Sequence, residues 1–328
     1  MTGQALISII TPGYNCGHTV HRLLDSILAQ TWQNMEYIFV NDGSTDNTAQ
    51  VLEQYRPRFA QRGIPMTVLT QPNGGIAAAV ACGLQHAVGE YLCWCDADDY
   101  YEPDAMEVRA AFLDGHPAYA WVSGKTDVHD GDGLDVSFTL SPPADMAEKG
   151  QMFMRFLRDD DAYYCCGAHM LRTSVLLRAN PDRYIYPLRT GQNLQMLLPV
   201  LYEERGYALD RTVYHYVRDQ NSHSAQVRTK QQMLDRCEQL HRIRVMTLRH
   251  MQIPKERLAA YEQISHLTAH KAFLRVAFLH GDRELLKKER AYLKQYGAYD
   301  WTCRKYCMEA SCPLYRCLIR LYRRLRKT

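Results

Sequence analysis

Three carboxylates crowd into four positions at Asp96-Ala97-Asp98-Asp99. Hard oxygen ligands suit Mg²⁺ or Mn²⁺, ions that complete their shells with phosphate oxygens and water. The cluster follows a largely apolar run, Glu90-Tyr91-Leu92-Cys93-Trp94-Cys95, and precedes Glu102-Pro103-Asp104. The run reads as a buried strand and the later string as the start of a helix. The carboxylates then sit at the carboxyl end of a strand, where open α/β sheets bind ligands. A solvated turn yields the same short string, so the cluster gains meaning only from its neighbours.

Those neighbours are elements that would carry polar groups to the same edge. Leu6-Ile7-Ser8-Ile9-Ile10 is apolar and breaks at Thr11-Pro12-Gly13-Tyr14-Asn15. Tyr37-Ile38-Phe39-Val40 breaks at Asn41-Asp42-Gly43-Ser44-Thr45-Asp46. Helical spacing follows each break, first at Val20, Leu23, Leu24, Ile27 and Leu28, then at Ala49, Val51, Leu52 and Tyr55. Ser44 or Thr45 suits the N-cap of the second helix. A third strand, Met66 to Leu69, ends at Gln71-Pro72-Asn73-Gly74-Gly75, and Ile76 to Val88 reads as the next helix. Alternating strand and helix calls for a mostly parallel sheet with helices on both faces. All four polar clusters converge on one edge of such a sheet.

The strings Ser8-Ile9-Ile10-Thr11-Pro12-Gly13-Tyr14-Asn15 and Val40-Asn41-Asp42-Gly43-Ser44-Thr45-Asp46, the Asn73-Gly74-Gly75 turn, and Gly89-Glu90-Tyr91 leading into the acidic cluster resemble glycosyltransferase family 2 in order and spacing. The resemblance spans about the first 105 residues. It implies a GT-A fold (Rossmann-like) and inverting, hexosyl-type transfer from a nucleotide-diphosphosugar, UDP-linked by expectation, with Mn²⁺ or Mg²⁺. Carried over by position, Pro12, Tyr14 and Asp42 would hold the nucleotide base. Asp96 would touch the ribose side, and Asp98 would ligate the metal bridging the phosphates. The residue types suit these tasks. A carboxylate accepts the uracil N–H, a Tyr stacks on a ring, and a cation stabilises the charge growing on a diphosphate leaving group. By themselves, Tyr14 equally suits ordinary packing and Asp42 a turn or N-cap.

Two positions depart from the family. Val80-Ala81 stands where Arg-Asn is common. Gly191-Gln192-Asn193 stands where a Gly-Glu-Asp would supply the general base, and neither amide can take a proton at neutral pH. Gln192 and Asn193 then orient the acceptor hydroxyl, or the base lies elsewhere, or the two amides cap a helix. The departures support an alternative reading, a non-catalytic nucleotide-sugar-binding protein. A nucleotidyltransferase is a weaker rival, because the first strand lacks a Gly-rich, basic loop after it. Tyr214-His215-Tyr216-Val217-Arg218 and Asn221-Ser222-His223-Ser224 resemble the family's closing strand and loop. Arg218 would pair with diphosphate oxygens and His223 would add a metal ligand or phosphate donor. Asp159-Asp160-Asp161 reads as a solvated loop.

The expected organisation is a GT-A domain over 1–224 and a helical accessory region over 225–328. Gln231 to His250 and Arg257 to Leu279 are periodic, and end at Pro254 and at Gly281-Asp282. The chain has 328 residues, 46% hydrophobic, and no apolar stretch long enough for a transmembrane helix. Met1-Thr2-Gly3-Gln4 has no basic region, which reads against a signal peptide. Eleven cysteines without secretory context suit a reduced, cytoplasmic setting. Cys303, Cys307, Cys312 and Cys317 are too widely spaced for a zinc knuckle.

Residues 301–328 hold eight Lys/Arg and one acid, Glu309, a charge of +7 that leaves −4 for the rest of a +3 chain. Leu314, Cys317, Leu318, Leu321, Tyr322 and Leu325 share one helical face. A basic amphipathic helix over 313–327 suits an anionic membrane surface, which would place the protein peripherally on the inner face of the plasma membrane. The same helix could dock on the protein's own core. The acidic remainder argues against nucleic acid. The expected acceptor is a glycan or lipid-linked molecule in surface polysaccharide synthesis.

Overall fold

The computed structural model describes residues 3–131, 135–218 and 228–311. It falls into two compact units. The described residues within Met1–Gln226 and Met246–Pro254 form one, and those within Val227–Val245 and Lys255–Thr328 form the other.

The first unit is built on a nine-stranded sheet among the described residues. Its opening half follows the expected alternation: β1 (Ile7–Gly13), α1 (Val20–Leu28), β2 (Met35–Asn41), α2 (Thr48–Gln61), β3 (Met66–Thr70), α3 (Ile76–His86) and β4 (Tyr91–Trp94). The order β3-β2-β1-β4 is parallel throughout. β1 and β2 are buried at nearly every position, as strands covered on both faces must be. Alternation decides which side chain meets which layer. Ile7, Ile9, Tyr37, Phe39 and Cys93 join the core formed with α1, α2 and α4 (Ala105–Gly115). Ile10 and Val40 face the other way, against Gly83 of α3. Each such apolar side chain removed from water contributes about 1.5–3 kcal/mol.

The second half of the sheet is mixed, which the alternation did not foretell. β5 (Tyr100–Tyr101), β6 (Trp121–Asp130), β7 (Val136–Leu140), β8 (His169–Arg172) and β9 (Gly206–Arg218) complete it. β8 runs antiparallel to both β4 and β6, β6 pairs β9 in parallel, and β5 pairs β9 antiparallel. Besides α4, this half carries α5 (Gln151–Arg158), α6 (Thr173–Ala179) and α7 (Gln192–Leu201).

Two local expectations are corrected. β1 continues through Thr11, Pro12 and Gly13, so the turn begins at Tyr14. α2 begins at Thr48 after Asn47, later than Ser44 or Thr45, because Ser44 and Thr45 are engaged with Asn15. Asp46 accepts the Thr48 N–H at 3.0 Å instead.

The other unit is helical. It contains the body of α8 (Lys230–His250), α9 (Lys255–Leu279), α10 (Arg283–Gln295) and α11 (Trp301–Ser311). Asp282 caps α10 by accepting the Leu285 N–H at 3.0 Å. Leu274, Leu293, Cys303 and Cys307 form its small core. No described helix is long and apolar enough to cross a membrane. The described cysteines are free thiols.

Candidate active site

Strand order reverses between β1 and β4, and the loops leaving β1, β2, β3 and β4 gather at that switch point. Hydrogen bonds stitch the first two loops together. The Asn15 N–H donates to Ser44 Oγ at 2.9 Å, the Thr45 N–H donates to Asn15 Oδ1 at 2.8 Å, and the Gly17 N–H donates to Asp46 Oδ2 at 3.0 Å. Pro12 is buried in the ladder opposite Val40, while Tyr14 beside it is 51% exposed and open to a ligand.

Asp42 organises the third loop. It is buried, and its Oδ1 accepts the Gln71 side-chain amide at 2.7 Å and the Gly74 N–H at 2.9 Å. Its Oδ2 accepts the Gly75 N–H at 2.7 Å. Gly75 holds φ +87°, a conformation that side chains resist, and this turns its N–H inward. A carboxylate offers about four acceptor positions, so three donors leave room for one more. Arg189 stands over this turn, where its guanidinium donates to Asn73 Oδ1.

The three carboxylates of the β4–β5 loop divide by environment. Asp99 is fully buried, and it accepts from the Tyr214 hydroxyl at 2.5 Å and the Val217 N–H at 2.9 Å. It therefore fastens the loop to β9. Asp96 and Asp98 remain partly exposed. The Asp96 N–H donates to Tyr214 Oη at 3.3 Å, and the Cys166 thiol bonds its carboxylate. The Arg22 guanidinium donates to the Asp98 carbonyl at 2.8 Å, which holds the loop from the α1 side. Burial, then the neighbouring Asp98 charge, pushes the Asp96 carboxyl up to about 7. Burial and the same neighbours push Asp99 well above its ordinary value.

This charge pattern fits a divalent cation. Two crowded oxygen donors at a ligand edge carry repulsion that a cation would relieve. Among the described residues no three His, Cys, Asp or Glu side chains form a ready-made cage. Mg²⁺ or Mn²⁺ held by one or two carboxylates, phosphates and water does not need one.

Asn193 is engaged on both sides. Its Oδ1 accepts from the Trp94 indole N–H at 2.8 Å, and its Nδ2 donates to the Tyr164 carbonyl at 3.0 Å. The amide thereby ties the start of α7 to the end of β4. Gln192 beside it is buried. Arg218 lies in β9 opposite Asp130, which it grips through Nε at 2.8 Å and Nη2 at 2.9 Å, with Phe138 under its guanidinium. A phosphate role for Arg218 would require giving up that pair. His223 and the 313–327 segment lie outside the described residues.

The structure thus brings Tyr14, Asp42, Asp96 and Asp98 to one edge and leaves Arg218 paired at the end of β9. Sequence reasoning missed Tyr214, Cys166, Trp94, Arg22 and Arg189. Tyr214 sat in a string already singled out, but its depth depends on Gly167. A Cβ there would lie 1.9 Å from the Tyr214 ring.

Known proteins resemble this chain in sequence and fold. Chondroitin synthase of Pasteurella multocida (strain Pm70) is 42% identical over 106 residues, 31% of this chain and 10% of that protein. The matched stretch thus spans only about a tenth of that relative's length. The protein EpsE of Bacillus subtilis (strain 168) is 29% identical over 225 residues, 68% of this chain and 76% of its own. Among solved structures, S. aureus TarS 1–349 in complex with UDP-GlcNAc superposes with a TM-score of 0.58 at 18% identity, covering 82% of this chain and 80% of that one. The mannosyltransferase PcManGT from Pyrobaculum calidifontis, in complex with GDP-Man and Mn²⁺, gives 0.51 at 17% identity over 94% and 87%. These neighbours share the GT-A fold. The model of Glycosyl transferase family 2 matches residues 8–178, more than half of the chain and all four loops of the switch-point edge, so the chain belongs to glycosyltransferase family 2.

Proposed function

We propose that this protein transfers a sugar from a nucleotide-diphosphosugar, UDP-linked, to a glycan or lipid-linked acceptor in surface polysaccharide synthesis. Asp98 would hold Mn²⁺ or Mg²⁺ where the diphosphate binds. Asp42 uses its remaining acceptor position on the base, Tyr14 stacks against the ring, and Asp96 faces the ribose. The metal supplies charge stabilisation to the departing diphosphate when bound. The observation that carries this reading is the pair of partly exposed carboxylates, Asp96 and Asp98, at the switch point beside the loop pinned by Asp42. Two fold neighbours support it, since their structures contain UDP-GlcNAc and GDP-Man with Mn²⁺.

A second reading is favoured by one specific observation. Asn193, which the sequence pattern aligns with the base position, is held by Trp94 and Tyr164. A protein that binds a nucleotide sugar without transferring it fits that arrangement. A panel of nucleotide sugars, assayed for thermal stabilisation and for metal-dependent donor hydrolysis, separates the two. Turnover with one donor supports the transferase. Stabilisation by a nucleotide sugar with no hydrolysis, and no transfer to glycan or lipid-linked acceptors, supports the binder. Neither response with any donor overturns both.

A further inference from the structure

The helical unit presents a surface that the donor site does not use. α10 exposes Arg283, Lys287, Lys288, Arg290 and Lys294 against one exposed acid, Glu284. Its other acid, Glu289, is buried and bonded to His270 Nδ1 at 2.5 Å, so it does not dilute this face. Beyond α10 stands Tyr296, 49% exposed, and α11 opens with Trp301, 66% exposed. Arg290 and Lys294 lie over the Tyr299 ring at 5.8 and 5.4 Å, which joins the basic end of α10 to the start of α11. Trp301, Arg304 and Met308 recur at helical spacing and are all exposed. Asp300, the nearest acid, is already paired with Lys271 at 2.6 Å.

An exposed Trp and Tyr beside dense positive charge match the requirements of a bilayer interface. Amphipathic rings settle at headgroup depth, and Lys and Arg are drawn to anionic lipid. The sequence after Ser311 adds six Lys/Arg and no acid, so positive charge continues along the chain. No described helix is long and apolar enough to cross a bilayer.

We propose that the α10–α11 face is a docking surface for an anionic membrane. Trp301 and Tyr296 enter the headgroup region, while Lys287, Arg290, Lys294 and Arg304 face the lipid charge. This contact is distinct from one made by 313–327 alone, and it does not depend on which donor is used.

Tryptophan fluorescence of the full chain tests it directly. The other three tryptophans, Trp32, Trp94 and Trp121, are buried at 6%, 1% and 1% exposure, so Trp301 alone can report lipid contact. Vesicles of phosphatidylcholine with phosphatidylserine should shift Trp301 emission to the blue, and brominated acyl chains should quench it. Pure phosphatidylcholine should do neither, and added salt should reverse the effect, because exposed charges are screened over about 8 Å at physiological ionic strength. Lys287→Glu, Arg290→Glu and Lys294→Glu together should weaken vesicle binding by about tenfold or more, the effect of losing several basic contacts. Trp301→Phe should remove the signal while co-sedimentation persists. Vesicle binding with Trp301 unquenched would overturn the proposal. So would binding abolished by Arg320→Glu, Arg323→Glu and Arg324→Glu but untouched by the α10 reversals. An equal emission shift with heparin or RNA, or with rising protein concentration alone, would assign the face to a polyanion or to a second copy instead.

Discussion

Trp94 donates its indole N–H to Asn193 Oδ1 at 2.8 Å, and the same amide donates to the Tyr164 carbonyl at 3.0 Å. The orientation of the amide is therefore dictated by its partners. An Asp at this position could accept from Trp94, but its second oxygen would oppose the Tyr164 carbonyl.

Asn193→Asp should therefore fold with a stability loss of about 1–3 kcal/mol, the cost of one buried polar group left unmatched. Opposition from the carbonyl should raise the new carboxyl above its ordinary value, toward that of a base useful at neutral pH. Denaturant unfolding and donor hydrolysis measured on the same variant check both effects. Unchanged stability would mean that the two hydrogen bonds contribute little.

Asp98 and Asp99 are neighbours with opposite expected phenotypes. Asp98→Ala should abolish metal-dependent nucleotide binding while the protein still folds. Asp99→Ala should leave Tyr214 and the Val217 N–H without their buried acceptor and destabilise the fold by about 1–3 kcal/mol. Calorimetric titration with Mn²⁺ and nucleotide, paired with thermal unfolding, distinguishes them. Unimpaired metal-dependent affinity in Asp98→Ala would remove that residue from the metal site.

Asp42→Asn should lose one of the acceptors for Gln71, Gly74 and Gly75 and weaken uridine diphosphate binding by about tenfold or more, the equivalent of one buried hydrogen bond. The ratio of uridine to cytidine diphosphate affinity separates two explanations. If Asp42 reads the uracil N–H, the wild-type preference for uridine collapses. If it acts only by holding the loop, both nucleotides weaken together.

His169 makes stability depend on pH. It is fully buried, and burial lowers its imidazole to about 3. Nε2–H donates to the Tyr163 carbonyl at 3.0 Å, so Nδ1 accepts from the Ser123 hydroxyl and the ring is neutral. The unfolded chain binds the extra proton near pH 6.5, whereas the folded protein resists it to about 3. The stability contribution is complete above pH 6.5 and falls as pH drops through that window, by about 2 kcal/mol at pH 5. Asp96 and Asp99, whose raised values act in the opposite direction, are common to wild type and His169→Gln. The difference between the two urea-unfolding profiles therefore isolates His169. Parallel profiles between pH 7 and about 5 would refute the assignment.

Much of the site was legible before any coordinates. The apolar runs at Ile7, Tyr37 and Tyr91, each ending in a polar turn, determine the buried parallel strands, because only a doubly covered sheet buries such runs on both faces, and the Met66 run joins them as a part-exposed edge strand. That pattern placed Tyr14, Asp42, Asp96 and Asp98 at one edge. The same local chemistry determined the long helices α8 and α9, where 3.6-residue periodicity and the Pro254 and Gly281 stops are self-contained signals.

What only the tertiary structure decided are relationships between groups far apart in sequence. Asp98 and Asp99 are adjacent and chemically identical, yet one is partly exposed and the other clasps Tyr214, 115 positions away. Asn193 looked like a free amide at a base position until Trp94 and Tyr164 closed on it from two other segments. Arg218 is held by Asp130 because β6 and β9 run in register, and that register is set by the mixed half of the sheet. Periodicity reports which face of an element is buried. It does not report which distant donor will fill an acceptor's lone pair, because burial selects by shape across the whole fold while hydrogen bonding selects by atom position within a few tenths of an ångström.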